Sequence, residues 1–228
     1  MSPSGGEPPT FEIPIFPLPD VVFFPETLLP LHVFEPRYRE MVAECLAGDR
    51  RLAVVMLRPG WEKDYHGRPP VCAVAGVGEI IHVEKLADGR YNILLDGRMR
   101  IRIEAELPTD RAYRIARARP LADVFPAGDP AALGERLTTL RAGHAKLLEA
   151  LGQSHADVVG RLTVAGAGPS AVIDRIVSAA VPDPAVRQRL LQVQDVSQRL
   201  DLATAALLDV LTLVAASDGE EDEEEGDP

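Results

Sequence analysis

Two serines invite a reading as nucleophiles. Ser170 stands in Gly168-Pro169-Ser170-Ala171, and Ser154 in Gly152-Gln153-Ser154-His155-Ala156. A serine hydroxyl attacks only when a neighbouring base takes its proton, and in the serine–lysine arrangement that base is a lysine further along the chain. The last lysine is Lys146, so none follows Ser170. Proline favours the first turn of a helix, and the tetrapeptide reads as a helix start. The second string follows a helix instead of a strand and ends in alanine where a nucleophile elbow needs glycine, so chance explains it. His32, Glu35 and Arg37 could form an acid–base cluster. The simpler reading is that Glu35 complements a helix N-terminus and pairs with an arginine, with Arg100 the expected partner.

Other chemistry finds no carrier. The sequence holds no His-Glu-x-x-His, paired-cysteine, EF-hand or deaminase spacing, and no Gly-x-x-x-x-Gly-Lys-Ser/Thr phosphate loop, so neither a metal nor a cofactor is expected. Gly76-Val77-Gly78-Glu79-Ile80-Ile81 lacks the third glycine of a dinucleotide loop and opens no helix; a bulge or barrel bend is the expectation. Cys45 and Cys72 match no redox pair, and a cytoplasmic protein with reduced, partly buried thiols is expected. The sequence predicts no enzyme.

Two charge runs remain. Residues 90 to 119 hold eight arginines against Asp96, Glu104, Glu106 and Asp110, a net +4. Met99, Ile101 and Ile103 alternate there with Arg98, Arg100 and Arg102, which predicts a strand with a core face and a basic face. Ion pairs on a solvated face are the plain expectation, and an anion- or RNA-binding surface the alternative. Residues 217 to 228 carry eight of the acidic groups behind the net charge of −11, so the rest of the chain is only −3 (−11 + 8). Such a run buries nothing apolar and is expected to be disordered.

The elements that would position these groups follow from periodicity. A chain of 228 residues, 46% apolar, can bury a full core, and none of its apolar runs is long enough to span a membrane. Residues 1 to 10 read as a disordered tail without the features of a signal peptide. Residues 11 to 16 form a strand, with Pro17 and Pro19 turning the chain. Leu28 to Phe34 is a second strand that runs into a helix opened by Pro36, with Tyr38, Met41, Val42 and Cys45 on its apolar stripe. Leu52 to Leu57 is a strand buried on both faces. Arg58 to Pro70 is a loop displaying Trp61 and Tyr65. Val71 to Leu86 is strand, Asp88-Gly89 a hairpin, and Asp96-Gly97 a second turn. From Asp129, a helix cap, the period becomes 3.6. Leu133, Leu137, Leu140, His144, Leu147, Leu148 and Leu151 make one stripe, 155 to 165 a short helix, and Asp195 caps the last helix, with Val196, Leu200, Ala203 and Leu207 inward. The domains expected are 11–125, mainly β, and 126–216, a helical bundle.

Ile13-Pro14-Ile15-Phe16-Pro17-Leu18-Pro19, Phe24-Pro25, Leu29-Pro30-Leu31-His32-Val33-Phe34-Glu35-Pro36-Arg37-Tyr38-Arg39 and Asp96-Gly97-Arg98-Met99-Arg100 together resemble the Lon N-terminal domain. That family is the substrate-binding module at the front of Lon proteases and also occurs free-standing. The resemblance implies an α+β fold: a PUA-like pseudo-barrel of about six strands with one inserted helix, then a helical bundle ending near Gln188 to Leu208. Pro17, Pro19, Pro25, Glu35, Pro36, Arg37, Gly97 and Arg100 would be its structural motif. Gly168-Pro169-Ser170-Ala171 copies the surroundings of the catalytic serine in Lon-type proteases, but without the lysine or the ATP-binding loop.

The expected function is therefore a non-catalytic module for exposed apolar segments of client polypeptides, working with a separate protease or with specific clients. A groove between barrel and bundle would do the binding. Phe23, Phe24, His32, Phe34, Tyr38, Trp61 and Tyr65 are the candidates for it, and half of the six aromatics other than His32 are expected to be core. Arg98, Arg100 and Arg102 carry the anion-binding alternative. A small-substrate hydrolase is the second alternative. Nucleic acid and membrane are not expected partners, and a homodimer through the last helix is left open.

Overall fold

We describe a computed structural model, which covers residues 8–64, 67–125, 130–152 and 167–224. The chain divides into two compact units, Met1–Ala122 and Asp123–Pro228.

The first unit is built on one six-stranded sheet. Its elements are β1 (Phe11–Leu18), β2 (Leu28–Val33), α1 (Pro36–Ala47), β3 (Arg51–Met56), a 3-10 turn (Trp61–Asp64), β4 (Val74–Lys85), β5 (Tyr91–Leu107) and β6 (Arg114–Pro120). The strand order is β2-β5-β4-β3-β1-β6, and a further β5–β6 pairing closes five of the strands into a barrel. β5 is long enough to do this twice. Its first half pairs with β2 and its second half with β6. β2 is left outside the ring, with one edge unpaired among the described residues.

The sequence explains the barrel's two cores. One is lined by Ile13, Ile15, Val55, Val77 and Ile101 with Ala53, Ala75, Ala116 and Ala118, small residues that let the strands curl tightly. The other lies under α1, where Tyr38, Met41, Val42 and Cys45 meet Phe16, Phe23, Leu52, Ile80 and Leu95. β3 serves both, which is why its apolar run is unbroken. Pro17 lies inside β1 instead of ending it; the β1–β6 pairing stops at Ile15, so no ladder bond is lost there.

Asp96-Gly97 is not a turn. β5 runs straight through it, and Gly97 is small for another reason. The segment Phe23-Phe24-Pro25 crosses the sheet, and a Cβ on Gly97 would lie 2.2 Å from the Phe24 carbonyl oxygen. Gly76 meets the Phe23 carbonyl and Gly78 the Phe23 ring in the same way. A bulge does fall at Val77/Gly78, as the glycines suggested. Asp88-Gly89 is the expected hairpin, with Gly89 at φ 81°.

The second unit is helical: α2 (Pro130–Ala150), α3 (Pro169–Ala180), α4 (Pro184–Gln192) and α5 (Val196–Glu224). The predicted stripe of α2 is buried at Leu137, Leu140, His144, Leu147 and Leu148, while Leu151 is exposed. Asp195 Oδ1 accepts from the Gln198 N–H at 2.9 Å and caps α5 as read. α5 continues to Glu224, into the acidic run expected to be disordered from 217. Glutamate is a good helix former, and the helix propagates from a packed segment at little cost. The helix expected at 155–165 and the Asp129 cap lie outside the described residues.

Candidate functional site

Three of the six candidate aromatics are core. Phe23, Phe24 and Tyr38 are buried, the last against Phe16 at 4.3 Å between ring centres, so none of them meets a ligand at the surface. Trp61 is half-buried in the 3-10 turn, and Tyr65 lies outside the described residues. Phe34 and His32 are the two that face solvent.

Their position follows from register. Directly opposite residues of an antiparallel pair share a face. Val33 is buried at the end of β2, so the even positions Leu28, Pro30 and His32 turn outward, and Phe34 continues the row. Across the ladder, Pro30 pairs with Leu94 and Leu94 with His82; His32 pairs with Asn92 and Asn92 with Glu84. A second register shift between Ile80 and His82 sets Ile81 outward beside His82. The outer face of β2–β5–β4 thus carries Leu28 (61% exposed), Phe34 (58%) and Ile81 (46%), with Pro30 and Leu94 between them. Sequence reading found Phe34 and His32 but missed Leu28 and Ile81. Alternation back from Val33 marks Leu28, whereas no local signal marks Ile81, whose exposure depends on the bulge.

Polar groups frame this patch and are mutually satisfied. His32 Nδ1 lies 2.7 Å from Asn92 Oδ1, Asn92 Nδ2 donates to Glu84 at 2.8 Å, and Arg90 reaches His32 Nε2 at 3.2 Å. The His32 and Phe34 rings stack 6.2 Å apart. Asp88 is held below the usual carboxylate range, first by the Arg90 backbone N–H it accepts. At the other end Arg98 bridges Glu79 and Asp96, each at 3.0 Å.

The basic region is largely neutralised. Arg98 has those two carboxylates, Arg111 pairs with Glu44, Arg114 with Glu106, and Arg119 with Glu104 at 3.5 Å. Arg100 is only 3% exposed, a correction to its assignment to the outer, anion-binding face. Arg100 keeps the face opposite Met99, Ile101 and Ile103, but that face is covered here: Arg100 pairs with Gly76, over which the Phe23 backbone crosses. Nor does Arg100 answer Glu35. That carboxylate takes the fork of Arg37, at 3.0 Å from Nε and 2.8 Å from the terminal nitrogen. The motif residues Pro17, Pro19, Glu35, Arg37 and Tyr38 line a recess of about 50 Å³ with Pro69 and Arg114. Ligand sites run to several hundred Å³, so this recess is architecture.

Ser170 is pinned, not poised. Its Oγ donates to Asp123 and accepts from Arg199. Arg199 is fully buried, donates to Asp123 Oδ1 at 2.8 Å and to the Val193 carbonyl at 2.7 Å, and lies 3.4 Å from Asp174. Among the described residues no lysine or histidine hydrogen-bonds to the hydroxyl. Sequence reading missed this network, whose one signal is an arginine at position 199 on the apolar stripe of α5. Ser154 lies outside the described residues. The helical unit also has an apolar groove of about 360 Å³ among Val186, Leu190, Leu202, Val210 and Leu213, edged by Asp183, Arg189 and Asp209. Among the described residues no cluster of three or more histidine, cysteine or acidic side chains could hold a metal.

The comparisons agree on one family. The model of the ATP-dependent protease La (LON) substrate-binding domain matches residues 12–209. Lon protease of Desulfosudis oleivorans is 22% identical over 206 residues, 90% of this chain and 25% of that protein. Lon protease of Xanthomonas oryzae pv. oryzae is 25% identical over 198 residues, 86% of this chain and 23% of that protein. The chain therefore spans about a quarter of the curated relatives it matches. The N-terminal domain of Mycobacterium avium complex Lon protease superposes with a TM-score of 0.64 at 20% identity, covering 87% of this chain and 99% of that one. A Lon N-terminal domain protein from Xanthomonas campestris gives 0.58 at 23% identity, over 86% and 98%. Both structures share the fold read from the sequence, an α+β sheet unit followed by helices, and the chain belongs to the Lon substrate-binding domain family.

Proposed function

We propose that this protein is a non-catalytic recognition module that binds exposed apolar segments of client polypeptides through the outer face of β2–β5–β4. The observation that carries the reading is the row Leu28, Pro30, Phe34 with Leu94 and Ile81, left open to solvent on a strand whose inward side chains are packed. Large apolar side chains grouped on a rigid sheet lose little conformational entropy on binding and gain from leaving water. The family's own description as substrate-binding points the same way. A separate protease would then act on what this module holds, and cytoplasmic residence fits such a role.

The hydrolase reading loses its support at Ser170, whose hydroxyl is held between Asp123 and Arg199 with no lysine or histidine against it among the described residues. The RNA reading loses support because Arg98 is held by two carboxylates and Arg100 is buried, which leaves Arg102 alone of the three arginines it named. No helix of the described residues is long and apolar enough to cross a membrane.

The test is fluorescence anisotropy of a labelled, carboxymethylated unfolded polypeptide titrated with the protein at low and high salt. Saturable binding that survives salt, and is weakened by Phe34→Ser and Leu28→Ser, is the expected result. Binding abolished by salt would point to phosphate-like electrostatics and overturn the proposal. So would binding that both variants leave unchanged.

A further inference from the structure

β2 is an edge strand whose only ladder, among the described residues, is with β5. Which of its backbone groups are spent can be read from the bond at its entrance. The Gly97 N–H donates to the Thr27 carbonyl at 2.9 Å, and the register continues with Leu28 opposite Asp96. Hydrogen-bonded and non-hydrogen-bonded pairs alternate along an antiparallel ladder. The amides and carbonyls of Leu29, Leu31 and Val33 therefore turn to β5, and those of Leu28, Pro30 and His32 turn to the open edge. Pro30 fits this independently, because its missing N–H falls on the side where no ladder needs it.

We infer that the client binds as an added β-strand along this edge, in extended form, with backbone hydrogen bonds to Leu28, Pro30 and His32. The inference rests on the polypeptide-binding reading and specifies its chemistry. Strand addition draws affinity from the main chain and selectivity from alternate side chains. Residues of the added strand directly opposite Leu28, Pro30 and His32 share their outer face, so every second client side chain lies beside the patch that Leu28, Leu94 and Phe34 form. The ligand class is a proline-free segment about as long as the six-residue β2, apolar at every second position. The Pro30 carbonyl requires a donor from the client, which a proline there would remove.

A second copy of this chain fits the edge less well. In a two-fold antiparallel pairing centred on β2, Pro30 would face Pro30 of the other copy, two acceptors with no donor between them. Proline on an edge strand is a known guard against such self-pairing. An unrelated segment supplies the N–H that a second β2 lacks.

The experiment uses the full chain and a labelled synthetic peptide alternating leucine and threonine between terminal lysines. Amide hydrogen exchange is followed with and without the peptide, and affinity is measured for peptides N-methylated at one alternate set of residues or the other. On binding, the amides of Leu28 and His32 should become protected, whereas those of Leu29 and Leu31, already bonded, should change little. One methylated set should bind about tenfold more weakly and the other nearly as the parent does. Binding without protection at Leu28 and His32, or equally sensitive to both methylated sets, would overturn strand addition while leaving polypeptide recognition intact. No binding of peptide or unfolded polypeptide would overturn both. His32→Pro, which removes an outward donor, should weaken binding while circular dichroism shows that the variant keeps the parent's fold; unchanged affinity in a folded variant counts against the edge.

Discussion

At the scale of single residues, Gly97 and Phe34 show opposite demands. A methyl group on Gly97 would meet backbone, the Phe24 carbonyl and the Pro25 Cα, which cannot rotate away. Gly97→Ala should therefore destabilise the first unit by about 2–3 kcal/mol, read as a lower denaturant midpoint. Phe34→Ala touches a solvent-facing ring and should move stability by less than about 0.5 kcal/mol while weakening client binding. Cys45 adds a pH dependence. Burial, and next the charge of Asp49, push its thiol from an ordinary value of 9.0 to about 11. The folded chain thus keeps a proton that the unfolded chain releases, so stability is full below about pH 9 and falls as pH rises towards 11. Urea titrations across that range should show the decline, and Cys45→Ala should flatten it. A thiol reagent at pH 8 should label half-exposed Cys72 well before Cys45.

At the scale of elements, what the sequence revealed was what local pattern decides. Pro36 and the stripe Tyr38, Met41, Val42, Cys45 place α1; unbroken apolarity places β3; Asp88-Gly89 places the hairpin. Features set by distant partners were illegible. Asp96-Gly97 resembles a turn until Phe24 is seen crossing above it, and Arg100 alternates onto an open face on paper until the crossing segment at Phe23 is seen to cover that face. Phe24 and Tyr38 are aromatic in the same way as Phe34, and only packing separates them. The helical unit holds the clearest case, since Asp123, Ser170 and Arg199 come from three separate segments and meet at a buried guanidinium. Removing the guanidinium leaves the carboxylate of Asp174, 1% exposed, buried without the arginine beside it. Arg199→Met should cost about 3–5 kcal/mol in the stability of the helical unit, seen as early loss of helical ellipticity on heating. Arg199→Lys should rescue little, because one ammonium cannot reproduce bonds to Asp123, Ser170 and the Val193 carbonyl together.

At the scale of the whole molecule, charge and recognition act at different stages of an encounter. The chain carries a net charge of −11, most of it in the run after Ala216. Contacts of the proposed client with the outer face of β2–β5–β4, by contrast, would be apolar or backbone in kind. Long-range charge accelerates the approach of an oppositely charged partner and is screened over about 8 Å at physiological salt, whereas short-range contacts govern dissociation. Clients whose apolar segment is flanked by lysines should therefore associate faster than the same segment flanked by glutamates, with similar dissociation rates. Adding salt should close the gap by slowing the first and speeding the second. Removing residues 217–228 should close it also, without changing how long either client stays bound. Stopped-flow fluorescence with the two peptides, on the full chain and the shortened one, separates these effects. Equal association rates at low salt would mean that the acidic run has no part in gathering clients. A difference confined to dissociation would place charged side chains inside the binding contact itself, where the outer face shows apolar ones.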